Sequence, residues 1–485
     1  MVLLIYPRHS PFPHSISTPL SIFCLGSYLE EKGEEVEYFD ERIQDFDYLF
    51  SLLKKRPALA GISTMTSYQI KRAVNIASLI RRYFPAILLA WGGVHPTMCP
   101  AQTLESELAD FVIKGEGEET LWELVRQIKS GQNKDFSLIQ GLAWKKNGQI
   151  IENDNRQFLD INSLPFPYSG KAGVLLNTYL NTKTSRESIA IQTSRGCSFH
   201  CSFCYNNFFS KSTSRIKSRE KLDEELGELK RRGVGEVIFM DDNLGASRRH
   251  IYDLCALTEK YGIKWSGGMR IDIIDGDLVK KLETSGCRYL FFGVESIDKN
   301  VLDSIHKHIN LEQLARAIGL MSKSSIDTVY SFMNGFPQEG RDCLNEQIGF
   351  IDKLLEVSPS AEIAIQPYNP LPGTPLFYQA LKEGFSPPGK LLDWWKMTTG
   401  EVLGPWVKDK ALLKNLYLVS FLAFRGDRFL KNMLFFPLSK IARVRWRSKF
   451  FKLGFERYLY AFMVKAFVIS DDIKSAFRRI RWNLF

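Results

Sequence analysis

The chain has 485 residues, 45% of them apolar and 24% charged, with a formal net charge of +10. That length is too great for one ordinary domain and implies two to four; the composition excludes a disordered chain. Five of the eight cysteines are scattered singly (Cys24, Cys99, Cys255, Cys287, Cys343), which argues against a disulfide framework, and no run reaches the roughly 18 uncharged apolar residues that cross a bilayer.

The N-terminal "MVLLIYPRHS" lacks a basic leader and its apolar run stops at Pro7, so it reads as a buried strand rather than a signal peptide. A reducing cytoplasmic setting follows as the expectation. The charge is uneven. Residues 405–485 hold 18 Lys and Arg against 5 Asp and Glu, a net of +13, which leaves residues 1–404 at −3. A membrane surface, a nucleic acid or an acidic substrate would each explain so basic a tail.

In chain order, "VLLIYP" is a strand and "PLSIFCLGSYLEEKG" a helix that ends at Gly33. The strands "EVEYFD" and "ALAGIST" follow, then the helix "YQIKRAVNIASLIRRYF", stopped before Pro85. "AILLAWGG" and "DFVIKGEGEE" are strands with their loops, and "TLWELVRQIKS" is a helix. This alternation predicts a parallel sheet with helices on both faces. Ligands of such sheets sit at the strand C-termini. The loops there carry Ser63, Thr64, Gly92, Gly93, His95, Gly115, Glu116 and Gly117. Small residues let a large flat ligand lie close to the backbone, or serve tight turns. No GxGxxG follows the first strand, which argues against a dinucleotide.

Residues 136–185 read as a connector, with a hairpin over "NG" in "GLAWKKNGQIIEN". From 186 to 385 six strand candidates recur: "SIAIQTSRG", "EVIFMDDN", "IKWSGGMR", "YLFFGVES", "DTVYSFMNGFP" and "EIAIQPYNPLPGTP". They predict part of a β/α barrel with its chemistry at the strand C-termini. Residues 386–485 read as a helical, basic, aromatic-rich region.

Cys197, Cys201 and Cys204 follow the first barrel strand with CxxxCxxC spacing. Zinc sites usually take four ligands, often as paired CxxC units, and no second pair lies nearby. Three soft thiolates suit an iron–sulfur cluster with one iron left open. CxxxCx(aromatic)C, with Phe203 as the aromatic, resembles the signature of the radical S-adenosylmethionine (SAM) enzymes. The resemblance implies that the cysteines hold a 4Fe-4S cluster. It implies SAM contacts at Asp241, Asp242 and Asn243 of "VIFMDDN", Arg270 of "GMRID", and Glu295 and Ser296 of "FFGVES". The bland alternative makes Asp241, Asp242 and Arg270 ordinary cap or ion-pair residues. "NGFPQEG" and "NPLPGTPLF" look like later-strand signatures of the same subgroup.

Residues 1–135 then resemble the cobalamin-binding domain of cobalamin-dependent radical SAM enzymes, with "GISTMTS", "GGVHP" and "KGEGEET" at the strand ends. The expected fold is α/β: a Rossmann-like cobalamin domain, a partial TIM-type barrel and a C-terminal helical region. One departure stands out. "YPRHSPFPH" contains His9 but lacks the Asp and Gly of the DxHxxG loop that supplies a lower axial histidine in many cobalamin domains. Cobalamin without a histidine on its lower face is therefore expected.

The family chemistry implies SAM cleavage to a 5′-deoxyadenosyl radical, hydrogen abstraction from an unactivated carbon, and methyl delivery by cobalamin. Ring formation or skeletal rearrangement on a lipid, isoprenoid or tetrapyrrole is the alternative. An external donor of flavodoxin or ferredoxin type would supply the electron. A tRNA methylthiotransferase would need three further N-terminal cysteines, and only Cys24 and Cys99 precede the signature; no nucleic-acid partner is expected. The tail would act as a helical cap on the barrel or as a peripheral contact with the membrane.

Overall fold

The computed structural model describes residues 1–10, 16–131, 135–180, 189–340, 342–399, 402–424, 436–454 and 458. The first sheet contains β1 (Val2–Tyr6), β2 (Val36–Asp40), β3 (Leu59–Ser63), β4 (Leu88–Gly92), β5 (Phe111–Ile113), β6 (Leu142–Lys146) and β7 (Gln149–Glu152), in the order β2-β1-β3-β4-β5-β6-β7. The first five are parallel. Their apolar runs are continuous because both faces are covered. Val2 and Leu4 face helices Leu20–Glu31 and Glu118–Ser130, whereas Leu3 and Ile5 face helices Phe46–Lys54 and Tyr68–Tyr83. The chain crosses from β2 over β1 to β3, so a crevice opens at the C-terminal ends of β1 and β3.

The hairpin read as part of a connector belongs to this sheet. Asn147 and Gly148 both have positive φ, 52° and 81°, which gives the two-residue turn the hairpin needs. β6 pairs antiparallel with β5, and β7 with β6. Local pattern revealed the hairpin but not the edge it extends.

The second half contributes β8 (Ile189–Ile191), β9 (Ser194–Arg195), β10 (Arg215–Ile216), β11 (Glu236–Phe239), β12 (Lys264–Met269), β13 (Cys287–Glu295), β14 (Asp327–Asn334) and β15 (Glu362–Pro367). Six of them form one parallel sheet, β15-β14-β13-β12-β11-β8, and these are the six strands expected from sequence. β9 and β10 pair antiparallel as a separate short ribbon at the base of the cysteine loop.

The C-terminal region turns two ways. Residues Leu391–Thr399, a run of 3-10 turns, return to the first domain, where Trp394 Nε1 donates to Gln102 Oε1 at 2.5 Å and Trp395 meets Tyr68 edge-on at 6.2 Å. Helix Lys410–Phe424 lies along β15, and helix Phe436–Arg447 packs on that helix. Trp446 donates to Asp352 at 2.9 Å, and Asn415 donates to the Phe451 carbonyl at 2.8 Å. Among the described residues, this part of the tail caps the barrel. The basic residues at 425–431 and 457–481 lie outside the described residues.

Leu416 is fully buried between the cap and the barrel, whereas Val444 is 64% exposed. Leu416→Ala should destabilise the unit containing the cap by about 2–5 kcal/mol, read as an earlier thermal transition. Val444→Ala should stay within about 0.5 kcal/mol of the parent.

Candidate active site

The cysteine loop starts at β9 and ends at β10. Cys201 is buried, and Cys197 and Cys204 are half-buried. Among the described residues, no three His, Cys, Asp or Glu side chains are grouped as a single metal ion would require. A four-iron cluster asks for something different, since each thiolate binds its own iron. Burial pushes the Cys204 thiol up to about 12 and raises that of Cys197. Both are protonated at neutral pH, so iron must displace their protons as it binds.

Little of this loop is regular, and the surrounding strand ends hold it. Asp241, just past β11, accepts from the Thr193 and Ser194 amides and from both hydroxyls; the Thr193 hydroxyl lies at 2.8 Å. Burial pushes its carboxyl up to about 6 despite these donors. Asp242 accepts from Gly196 N–H at 3.1 Å and from the Tyr205 hydroxyl, bridging the two ends of the cysteine motif. Gly196 is required here. Its φ is +81°, and a Cβ would lie 2.1 Å from the Thr213 carbonyl. On the far side, Ser202 N–H donates to Ile305 O at 2.9 Å, its hydroxyl donates to Ser304 O at 3.1 Å, and the Cys201 sulfur lies 3.9 Å from His306 O.

The six residues expected at SAM thus divide by what already occupies them. The carboxylates of Asp241 and Asp242 hold the loop. Asn243 accepts from Gly245 N–H and Arg270 N–H at 3.1 and 3.2 Å, and its Nδ2 is buried with no partner. Glu295 is ion-paired with buried Lys307 at 3.0 Å, and Ser296 Oγ accepts from Asp298 N–H at 3.1 Å. Arg270 pairs with Asp272 at 2.8 Å, donates to Lys307 O at 2.8 Å and lies 4.0 Å from the Phe199 ring of the cysteine loop. Its Nη1 is buried with no partner. A guanidinium N–H left over beside the cysteine loop fits an incoming carboxylate.

The crevice of the first sheet carries matching unused groups. Thr64 and His95 are fully buried, and the Thr64 hydroxyl and His95 Nε2 have no partner. His95 Nδ1 pairs with Thr66 Oγ1 at 3.0 Å, and its ring packs on Trp394 at 5.3 Å. Burial lowers its pKa to about 3, so the imidazole stays neutral. Gly93 must be glycine, because its φ is +99° and a Cβ would meet the Thr64 carbonyl at 2.5 Å. Ser63 Oγ donates to Ser21 Oγ at 2.9 Å. Gly92, Gly115 and Gly117 line the same strand ends. Glu116 does not offer its carboxylate to this crevice, because Arg195 and Arg215 hold it.

Sequence reasoning missed Arg195, Arg215, Tyr205 and Lys307. Arg195, two residues before Cys197, and the acidic run beginning at Glu116 were visible as charges, but nothing local pairs them.

Two family models match: the B12 binding domain over residues 13–125 and the radical SAM superfamily over residues 191–351. An uncharacterized methyltransferase of Pyrococcus horikoshii, PH0819, is 27% identical over 413 residues, covering 82% of this chain and 86% of that protein. An anaerobic magnesium-protoporphyrin IX monomethyl ester cyclase of Cereibacter sphaeroides is 25% identical over 470 residues, covering 93% and 71%. Among solved structures, the methyltransferase TsrM from Kitasatospora setae, bound to cobalamin and a 4Fe-4S cluster, has a TM-score of 0.68 at 18% identity, with 84% of each chain covered. OxsB, bound to aqua-cobalamin and SAM, has a TM-score of 0.70 at 20% identity, covering 97% of this chain and 71% of that one.

Gly93→Ala adds a Cβ to a closed contact and strains φ, at about 1–3 kcal/mol. It should weaken cobalamin binding about tenfold or more, measured as bound cobalamin after reconstitution. Gly319→Ala, where a Cβ meets nothing within 4 Å, should bind as the parent does.

Proposed function

Because this chain belongs to the cobalamin-dependent radical SAM enzymes, we propose that it cleaves SAM and methylates an unactivated carbon of a small molecule. The observation that carries this reading is one chain that joins a three-thiol loop, with an unused Arg270 donor beside it, to a crevice lined by small residues. When bound, the cluster supplies the electron that cleaves SAM and cobalamin supplies the methyl group.

The chain's own residues position these groups and exclude water from them. Cys197, Cys201 and Cys204 would hold the cluster, and three ligands for four irons would leave a position open for SAM. Arg270 Nη1 would take a carboxylate oxygen, and the buried, unpartnered Asn243 Nδ2 would offer a second donor at the adjacent strand end. The strand end at Glu295 and Ser296 receives the ribose, with the Glu295 carboxylate kept by Lys307. Ser63, Thr64, Gly92, Gly93, Gly115 and Gly117 would let the corrin lie against the backbone, and the unpartnered Thr64 hydroxyl and His95 Nε2 would be free to bond its polar groups. The electron comes from an external flavodoxin or ferredoxin type of donor.

A cyclase is the other reading that the relatives keep alive, and product mass separates the two. Methylation adds one CH2 to the substrate, whereas oxidative ring closure removes hydrogen. Replacing Cys197, Cys201 or Cys204 with Ala should abolish the reconstituted cluster's visible absorbance and all 5′-deoxyadenosine formation. Cys255→Ala and Cys287→Ala should leave both intact. The reverse pattern would refute the assignment.

A membrane role rests on the outer side of the cap. Ile441, Val444, Phe450 and Leu453 are exposed there, among Lys440, Arg443, Arg447 and Lys452. Among the described residues no helix is long and apolar enough to cross a membrane, so the contact would be peripheral. Basic residues near an anionic surface contribute on the order of 1 kcal/mol each. The intact protein should co-sediment with anionic vesicles at low salt, and Val444→Asp with Leu453→Asp should release it. If the parent protein stays in the supernatant, the tail is a cap alone.

A further inference from the structure

The cysteine loop and the crevice loops meet at a buried ring of four charges. Arg195 on β9 and Arg215 on β10 are directly opposed in the ribbon that closes the cysteine loop. Like charges at facing positions destabilise a strand pair. The first domain resolves this repulsion. Glu116, between β5 and the following helix, lies 3.2 Å from Arg195 and is held by both terminal nitrogens of Arg215, one of them at 3.1 Å. Glu118, the first residue of helix Glu118–Ser130, lies 2.6 Å from Arg195. These side chains are 4–20% exposed, so each charge needs its partner. Both arginines are also fixed from behind. Arg195 Nε donates to Gln192 Oε1 at 3.1 Å, and Arg215 donates to Leu159 O at 3.0 Å while stacking on Phe158 at 4.3 Å.

The ring is bonded closely to both sites. Arg195 is two residues from Cys197, a reach of about 7 Å at most. Glu116 lies between Gly115 and Gly117 of the crevice. A planar fork that serves two carboxylates at once suits arginine and not lysine.

We propose that Arg195 is a positioning residue: with Arg215, Glu116 and Glu118 it fixes the cluster-bearing loop against the cobalamin-bearing loops and so sets the separation of the two cofactors. The proposal rests on the cobalamin-dependent radical SAM reading. Arg195 touches no reacting atom, and its effect passes through the two loops it joins.

The test uses the full chain, reconstituted with cluster and cobalamin, as parent, Arg195→Gln and Arg215→Gln. In Arg195→Gln iron and cobalamin contents should match the parent, since no ligand is altered. The spin coupling between cob(II)alamin and the reduced cluster, read by electron paramagnetic resonance, should weaken or spread. The ratio of 5′-deoxyadenosine to methylated product should rise by one to two orders of magnitude, as a misplacement of about 1 Å would produce. Unchanged coupling and an unchanged ratio would overturn the proposal. If Arg195→Gln loses a cofactor, Arg215→Gln, which leaves the Arg195–Glu118 pair in place, decides by the same two measurements. Hydrogen exchange across residues 193–217 should quicken about tenfold in Arg195→Gln even before reconstitution, and unchanged exchange would also count against the clamp. A parent protein that takes up no cobalamin would refute the functional reading, while the exchange result would still judge the clamp.

Discussion

Cys197, Cys201 and Cys204, the proposed cluster ligands, sit on a loop that cannot hold its own shape, and its neighbouring strand ends are arranged around that fact. An isolated loop of this kind would sample many conformations, and each residue fixed costs about 1–2 kcal/mol. The structure offsets this with hydrogen bonds from neighbouring strand ends. Asp241 takes the entry at Thr193 and Ser194, Asp242 ties Gly196 to Tyr205, and the 304–306 backbone receives Ser202 and the Cys201 sulfur. Asp241 and Asp242, proposed as cofactor contacts, are here the scaffold of the thiols. A loop braced this way can present thiols before iron arrives, which lowers the ordering cost of binding.

The same economy explains Arg270. Its guanidinium is buried, stacked on Phe199 and anchored by Asp272 and the Lys307 carbonyl. With the rest committed, the two N–H groups of Nη1 are what remains to donate. Lys307, whose carbonyl helps to fix Arg270, also neutralises Glu295. A single backbone turn therefore links two strand ends that sequence alone lists as separate motifs.

Strands were legible in the sequence where one chain segment decides the outcome. The six barrel strands and the five parallel strands of the first domain are apolar runs bounded by glycine and loop residues, and that pattern needs no partner to be read. The cysteine spacing is likewise local. What escaped was pairing. The "NG" turn predicts a hairpin, but its union with β5 depends on an edge elsewhere. Helix Phe46–Lys54, which begins at an Asp45 cap accepting from Tyr48 N–H, was passed over between two strands. Arg195 and Glu118 are 77 positions apart, and Trp394 and Gln102 are 292 apart. Periodicity tells which face of an element is buried and says nothing about what buries it.

Those distant contacts share one consequence. The first domain is joined to the rest of the chain more than once, by the charged ring around Arg195 and by the returning segment that sets Trp394 against His95. Further hydrogen bonds add to them: the Tyr179 hydroxyl of the connector donates to the Asp40 carboxylate, and Thr18 Oγ1 accepts from Ala190 N–H. A single interface of this sort would permit hinge motion, the default for two domains joined by one modest surface. Several sets of contacts restrict it. Chemistry passed between groups held by different domains tolerates errors of only about 0.5 Å, so the alignment of the two halves is part of the active site. The C-terminal region belongs to that alignment as much as to the cap, since Leu391–Thr399 grips the first domain while Lys410–Phe424 lies on β15 of the barrel.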